Sequence, residues 1–228
     1  MNLSYDQGGE GERLLVLLHG LGAARAVWQP MLARKRWHGR WIAPDLRGHG
    51  ASAHDGDYSL DAHAGDVAAL VAGHDVTVLG HSMGGAVGLA LAHRIRARVF
   101  GLGIKVAWSA GELAGLDRIA NAPVRYFASR DEAVARYRKV SGAVDDSGVA
   151  EDEQGWRLAA DPATAKVGPP PMERLMAGVE AHLARGERDP MVSLAQLQVY
   201  DASAVDIAGA GHSAMIEAPD AMWDWLLQ

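Results

Sequence analysis

Apolar residues in this chain gather in short, dense runs. Leu14-Leu15-Val16-Leu17-Leu18 is continuous, as expected of a strand buried on both faces of a parallel sheet. Trp41-Ile42-Ala43, Val76-Thr77-Val78-Leu79 and Val99 to Val106 repeat that signal. Between them lie helix-like segments: Ala23 to Arg36, Tyr58 to about Ala72 with Leu60, Val67, Leu70 and Val71 on one face, and an Ala/Leu/Gly-rich run after Met83. His182-Leu183-Ala184 and Ala204 to Ala208 read as two further short strands, and Ala214 to Leu227 as a closing helix. At the start, Leu3-Ser4-Tyr5 followed by Gly8-Gly9 reads as the tail of an edge hairpin. Strand alternating with helix predicts an α/β fold, a doubly wound and mostly parallel sheet with helices on both sides.

From Trp108 to about Glu180 the alternation stops, and Gly, Pro and charged residues dominate. The pattern divides the chain into a core, 1–108 and 181–228, and a small helical cap inserted at 109–180. Asp131 to Val140 is the clearest helix of the insertion. Pro169-Pro170-Pro171 marks a stop, and the acidic run from Asp145 to Glu153 reads as a solvated loop.

Bulk properties narrow the function. A chain of 228 residues with 49% apolar residues buries one substantial core. A net charge of −6, with no extended Lys/Arg run, argues against nucleic acid as a partner. No apolar stretch approaches the roughly 20 residues that span a bilayer, and Met1 to Asp6 lacks the features of a signal peptide. Without cysteine there is no disulfide, thiol nucleophile or Cys-ligated zinc. The expectation is a cytoplasmic protein without metal or cofactor, acting on a small molecule, away from membranes.

Chemistry enters at Gly80-His81-Ser82-Met83-Gly84, between a strand-type run and a helix-type run. Strand, sharp turn and helix put a serine at the apex, with the first N–H groups of the helix aimed above it. Here the sequence resembles the α/β-hydrolase family. His19-Gly20-Leu21-Gly22, Pro44-Asp45-Leu46-Arg47-Gly48-His49-Gly50 and Gly211-His212 match its pattern in the expected order. Ser82 separates the chain from the family's haloalkane dehalogenases, which carry Asp at this position. The short chain predicts a sheet of fewer than eight strands.

The resemblance implies an order of nucleophile, acid and then base. Ser82 needs a base, and His212 follows the last predicted strand in a glycine-flanked loop. Asp189 follows the penultimate strand with the Gly-x-x-Asp spacing of relatives; Glu187, Asp201 and Asp206 are its rivals. The oxyanion hole falls to the backbone N–H groups of Met83 and Leu21, with His19 a structural hydrogen-bonder and Asp45 to Gly50 scaffold. Trp28, Trp108, Trp156, Met191 and Met215, together with Met83 and Met172, are candidates for an apolar pocket wall, and each also suits core packing.

These residues imply a serine hydrolase that cleaves a small ester, lactone or thioester through an acyl-enzyme. Relatives with the same residues hydrolyse carbon–carbon bonds of ring-fission products, or act as perhydrolases or acyltransferases. A non-enzymatic alternative is a ligand receptor on the hydrolase scaffold. Oligomeric state is not encoded in these patterns.

Overall fold

The computed structural model describes residues 2–54 and 56–228. In chain order the strands are β1 (Tyr5–Gly8), β2 (Arg13–Leu18), β3 (Arg40–Pro44), β4 (Asp75–His81), β5 (Ala97–Leu102), β6 (Tyr126–Phe127), β7 (Val149–Asp152), β8 (Gly155–Leu158), β9 (Ala181–Gly186) and β10 (Val205–Ile207). The α-helices are α1 (Gln29–Leu32), α2 (Leu60–Leu70), α3 (Met83–Ala92), α4 (Ala110–Ala120), α5 (Arg130–Ser141), α6 (Met172–Met176), α7 (Leu194–Gln198), α8 (Ala214–Glu217) and α9 (Pro219–Leu226).

Among the described residues, seven strands form the main sheet in the order β1-β3-β2-β4-β5-β9-β10. Only β1 runs antiparallel to its neighbour. The apolar runs segregate by parity, because successive strand side chains point to opposite faces. Leu14, Val16 and Leu18 of β2 join Val76, Val78 and Val99 in one core cluster, covered by Leu60 and Val67 of α2 and Val87, Leu89 and Leu91 of α3. Leu15, Leu17, Leu79, Phe100 and Leu102 join the other, covered by Trp28, Met31 of α1 and Met222, Trp223 and Trp225 of α9. Each large side chain so buried contributes about 1.5–3 kcal/mol. Among the described residues no helix is long and apolar enough to cross a membrane.

Several local expectations are corrected. The edge hairpin is instead a single edge strand: β1 pairs with β3, Tyr5 opposite Pro44 through Gly8 opposite Trp41, and not with the strand that follows it. The helix expected over Ala23 to Arg36 is a 3-10 turn, Arg25–Trp28, followed by the one-turn α1. Pro30 explains this, since a residue without an N–H fits only the first turn of a helix. Pro219 likewise divides the closing helix into α8 and α9, and the strand expected to reach Val106 ends at Leu102, before Gly103 with φ +62°.

Residues 110–176 add no strand to the main sheet. They combine α4, α5 and α6 with a three-stranded antiparallel sheet, β6-β8-β7. The acidic run is therefore not a loop throughout. Its second half is β7, turned back on β8 at Glu153-Gln154 with Glu151 opposite Trp156. Glu151, Asp152 and Glu153 stay exposed at the turn end of the hairpin, so charge there reflects a solvated hairpin end and not a loop.

Candidate active site

Between the end of β4 and the start of α3, Ser82 makes the turn alone. Its φ of 52° and ψ of −116° lie where a side chain costs about 1–3 kcal/mol. The surroundings enforce that conformation. Ser82 N–H donates to Leu102 O at 2.8 Å, and Ser82 O accepts from Gly85 N–H at 3.0 Å. A Cβ on Gly84 would lie 2.2 Å from Leu18 O, and one on Gly80 would lie 2.4 Å from Gly84 O. Only glycine lets the helix start sit this close to the strand ends.

The loop after β2 runs beside the elbow, where a Cβ on Gly20 would come 3.3 Å from Ser82 Cβ. Neighbouring amides already have acceptors: Gly22 N–H donates to His49 Nε2 at 3.1 Å and Ala23 N–H to Gly20 O at 3.2 Å. The Leu21 and Met83 amides have none among the described residues. Both residues border the cavity that Ser82 enters.

His212 follows β10 and Asp189 follows β9. His212 Nδ1 lies 2.8 Å from Asp189 Oδ2, with the Asp189 side chain fully buried and that of His212 26% exposed. Oδ1 of Asp189 accepts from Met191 N–H at 2.7 Å. Arg185 braces the loop that carries Asp189, donating through Nη1 to Asp189 O and Val192 O and through Nη2 to Glu187 O. The rival acids are engaged elsewhere: Glu187 with Gly209 N–H, Asp201 with Leu183 N–H, and Asp206 with Arg185.

Two residues that sequence reasoning passed over hold this constellation together. Gly103 brings β5 so close that a Cβ there would lie 3.2 Å from both Asp189 Oδ2 and His212 Nδ1. His81 donates through Nε2–H to His212 O at 3.0 Å, with the two rings 4.6 Å apart. The residue before Ser82 thus ties the strand to the loop that carries His212. For Gly103 the available signal was a glycine directly after a strand; for His81 there was none, because its partner is remote in sequence.

Four histidines beside the elbow are buried, and burial, which strips water from the charged form, depresses each of them. His19 falls to about 4, His49 and His63 to about 3, and His81 well below 6.5. They are neutral near pH 7, which fixes their roles. His19 Nε2 accepts from Leu46 N–H at 2.9 Å and Nδ1–H donates to Gly20 O at 2.8 Å. His49 Nδ1–H donates to Arg47 O at 3.0 Å while Nε2 holds Gly22. His63 has no partner on either ring nitrogen among the described residues.

The site opens into a cavity of about 710 Å³. Ser82, Met83, Leu21, His212, Trp108 and Met191 all lie on its wall. Trp28 and Met215 do not: both are fully buried in the sheet-facing cluster with Leu15, Leu17 and Trp223. Met172 is likewise buried, in the cluster on the opposite face. Trp156 lies on β8 beneath the Arg130 guanidinium, and its cross-strand partner Phe127 reaches the cavity in its place. Further apolar wall comes from Ile104 and from Leu116, Ile119, Val124 and Val140 of the inserted segment. No local motif marked these residues, since their selection depends on how that segment lies across the sheet.

Two outcomes follow for this arrangement. Replacing His81 with Leu should lower kcat about tenfold with little change in KM, whereas His81→Gln, which keeps a donor, should retain most activity; steady-state kinetics on both variants decides. His63 has a folded pKa below its unfolded value of about 6.5, so the unfolded chain binds more protons as the pH falls. Stability should drop from pH 7 to pH 5 by about 2 kcal/mol through this residue alone. His63→Leu should leave stability at pH 7 equal or higher and flatten that slope in denaturant titrations; an unchanged slope would refute the assignment.

Residues 15–225 match the model of the alpha/beta hydrolase family. The pimeloyl-[acyl-carrier protein] methyl ester esterase of Sodalis glossinidius is 38% identical over 102 residues, 45% of this chain and 39% of that protein. The chain thus matches about two fifths of that curated relative's length. Among solved structures, E-2-(acetamidomethylene)succinate hydrolase superposes with a TM-score of 0.77 at 22% identity, covering 98% of this chain and 93% of that one. The thioesterase domain from the curacin biosynthetic pathway gives 0.76 at 17% identity, covering 99% and 95%. At these identities the likeness is one of fold. With the family model matched over nearly the whole chain, this protein belongs to the alpha/beta hydrolase family.

Proposed function

We propose that the protein is a serine hydrolase acting on an ester or thioester bond, with Ser82 as nucleophile, His212 as base and Asp189 as the acid that orients it. The observation that carries this reading is the 2.8 Å contact between His212 Nδ1 and buried Asp189, on the wall of the cavity that holds Ser82. A carboxylate on Nδ1 selects the tautomer with the proton there. Nε2 is left with a lone pair to accept the Ser82 proton.

The cycle is acyl transfer. Ser82 Oγ bonds to the substrate carbonyl carbon as its proton passes to His212 Nε2, and Asp189 stabilises the resulting imidazolium. The oxyanion accepts hydrogen bonds from the Met83 and Leu21 amides. On collapse, the bond to the leaving oxygen or sulfur breaks and His212 returns the proton to it. Water, deprotonated by His212, then attacks the acyl carbon; as the bond to Ser82 Oγ breaks, His212 returns that proton to Oγ, which frees Ser82 and releases the acid. The strained elbow supports this assignment, because backbone strain of this kind is retained where it presents a reactive group.

A fluorophosphonate probe tests the proposal. Wild-type protein should be labelled at Ser82 and should hydrolyse short-chain aryl esters. Ser82→Ala should lose both properties while keeping its circular dichroism spectrum. Asp189→Asn should lower kcat roughly a thousandfold or more. Turnover by Ser82→Ala near the wild-type rate would remove the scheme.

A further inference from the structure

The cavity is more cationic than the protein around it. The chain as a whole carries a net charge of −6. Besides His212, the ionisable side chains on the wall are Lys105, Glu112, Arg125, Arg136 and Asp161. Both carboxylates are satisfied from within the fold. Glu112 accepts from Lys105 Nζ at 2.7 Å and completes the capping box of α4 with Ser109. Asp161 accepts from the Tyr58 hydroxyl at 2.9 Å and the Ala163 amide at 2.8 Å. Lys105 and Glu112 therefore cancel, while Asp161 keeps its charge but lies outside ion-pair distance of both arginines, which leaves the wall with an excess of one positive charge.

Arg125 and Arg136 have no carboxylate within ion-pair distance among the described residues. The contrast along α5 is informative. Arg130 pairs with Asp146 at 2.7 Å and Arg138 donates to Asp145 O at 3.0 Å, while Arg136, on the same helix, borders the cavity instead. One turn further on, Val140 also borders it and packs against the oxyanion loop, 3.0 Å from where a Gly22 Cβ would stand. The Arg125 guanidinium lies over the Phe127 ring, 4.9 Å from its centroid, which orients the planar group beside the apolar wall. Four of the molecule's exposed large apolar side chains, Ile119, Val124, Val140 and Met191, border the same cavity.

We infer that the substrate is amphipathic: an apolar acyl chain or ring occupies the wall formed by the inserted segment, and an anionic group on it, a carboxylate or a phosphate, is held by Arg125 and Arg136. This rests on the serine hydrolase reading. The guanidinium suits the role because its donors match two oxygens of either anion at once. A cationic patch on an acidic protein also draws anions toward the site in preference to neutral esters.

Non-hydrolysable amides test the binding apart from the chemistry. Three acyl amides of matched length, ending in methyl, carboxylate or a phosphate monoester, are titrated calorimetrically into wild type, Arg125→Gln, Arg136→Gln and the double variant, with thermal melts checking the fold. Wild type should bind at least one anionic amide about tenfold or more tightly than the methyl-ended one. That ratio should fall with added salt and approach one in the double variant. The favoured arm identifies the anion. Equal affinities in wild type, or a ratio that survives both substitutions, would overturn the inference. Fluorophosphonate labelling runs in parallel: failure to label Ser82 counts against the hydrolase reading, whereas the binding ratios decide the anion site independently.

Discussion

Much of the site depends on one close approach, that of the first turn of α3 to the ends of β2 and β4. Glycine at 80 and 84 removes the two Cβ atoms that would meet backbone there. The turn is then sharp enough to force Ser82 to positive φ, and Leu102 O on β5 holds its amide. Because β4 lies between β2 and β5, the segments that leave those two strands flank the serine. One supplies Leu21. The other supplies Gly103, against which Asp189 and His212 pack. Ser82, the Leu21 and Met83 amides and His212 thus share one mechanical origin at a sheet end, as expected where parallel strands deliver their loops to the same edge.

Desolvation sorts the histidines around that edge. His19, His49, His63 and His81 lie where water does not reach, so the charged form is disfavoured and each ring is a neutral part of the scaffold. His212 differs in two respects: its side chain is partly exposed, and it faces a buried carboxylate. His81 shows why the separation matters. Its ring is 4.6 Å from that of His212, and a second charge there would oppose formation of the imidazolium. Kept neutral by burial, it donates one hydrogen bond to the backbone of the base and adds no charge.

Local patterns were enough to read the alternation of strand and helix and to single out Ser82, His212, Asp189, Met83 and Leu21, which the fold gathers at one end of the sheet and to which we assign the roles proposed above. Each of these sits at the end of a strand, where glycine punctuation and chain order carry the information. The pocket wall was not legible in that way. Trp28 and Met215 have the composition of pocket residues, but the short helical turns that carry them face the sheet, and both are consumed by the core. Conversely, Phe127, Val140 and Arg136 carry no motif; they matter only through the placement of the inserted segment. The β7–β8 hairpin was hidden for a related reason. Its acidic residues suit the exposed end of a hairpin as well as a loop, and charge alone does not distinguish the two.

That placement of the inserted segment is itself tied to the loop after β2. The segment from 110 to 176 is pinned to the loop after β3 by a bridge between His49 and Ala160, by Asp161 N–H on Gly48 O at 2.8 Å, and by the Tyr58 hydroxyl on Asp161. His49 is the same residue whose Nε2 accepts the Gly22 amide, one position beyond Leu21. A buried, neutral ring therefore joins the anchor of the cavity wall to the loop that carries Leu21. Rearranging the wall to suit another substrate without disturbing His49 requires change outside 160–161, in α4, β6 and the face of α5. Those are the elements that carry Ile119, Phe127 and Arg136, so the wall can vary there while its anchor stays in place; Val140 of α5 is the exception, because it packs against the Gly22 loop.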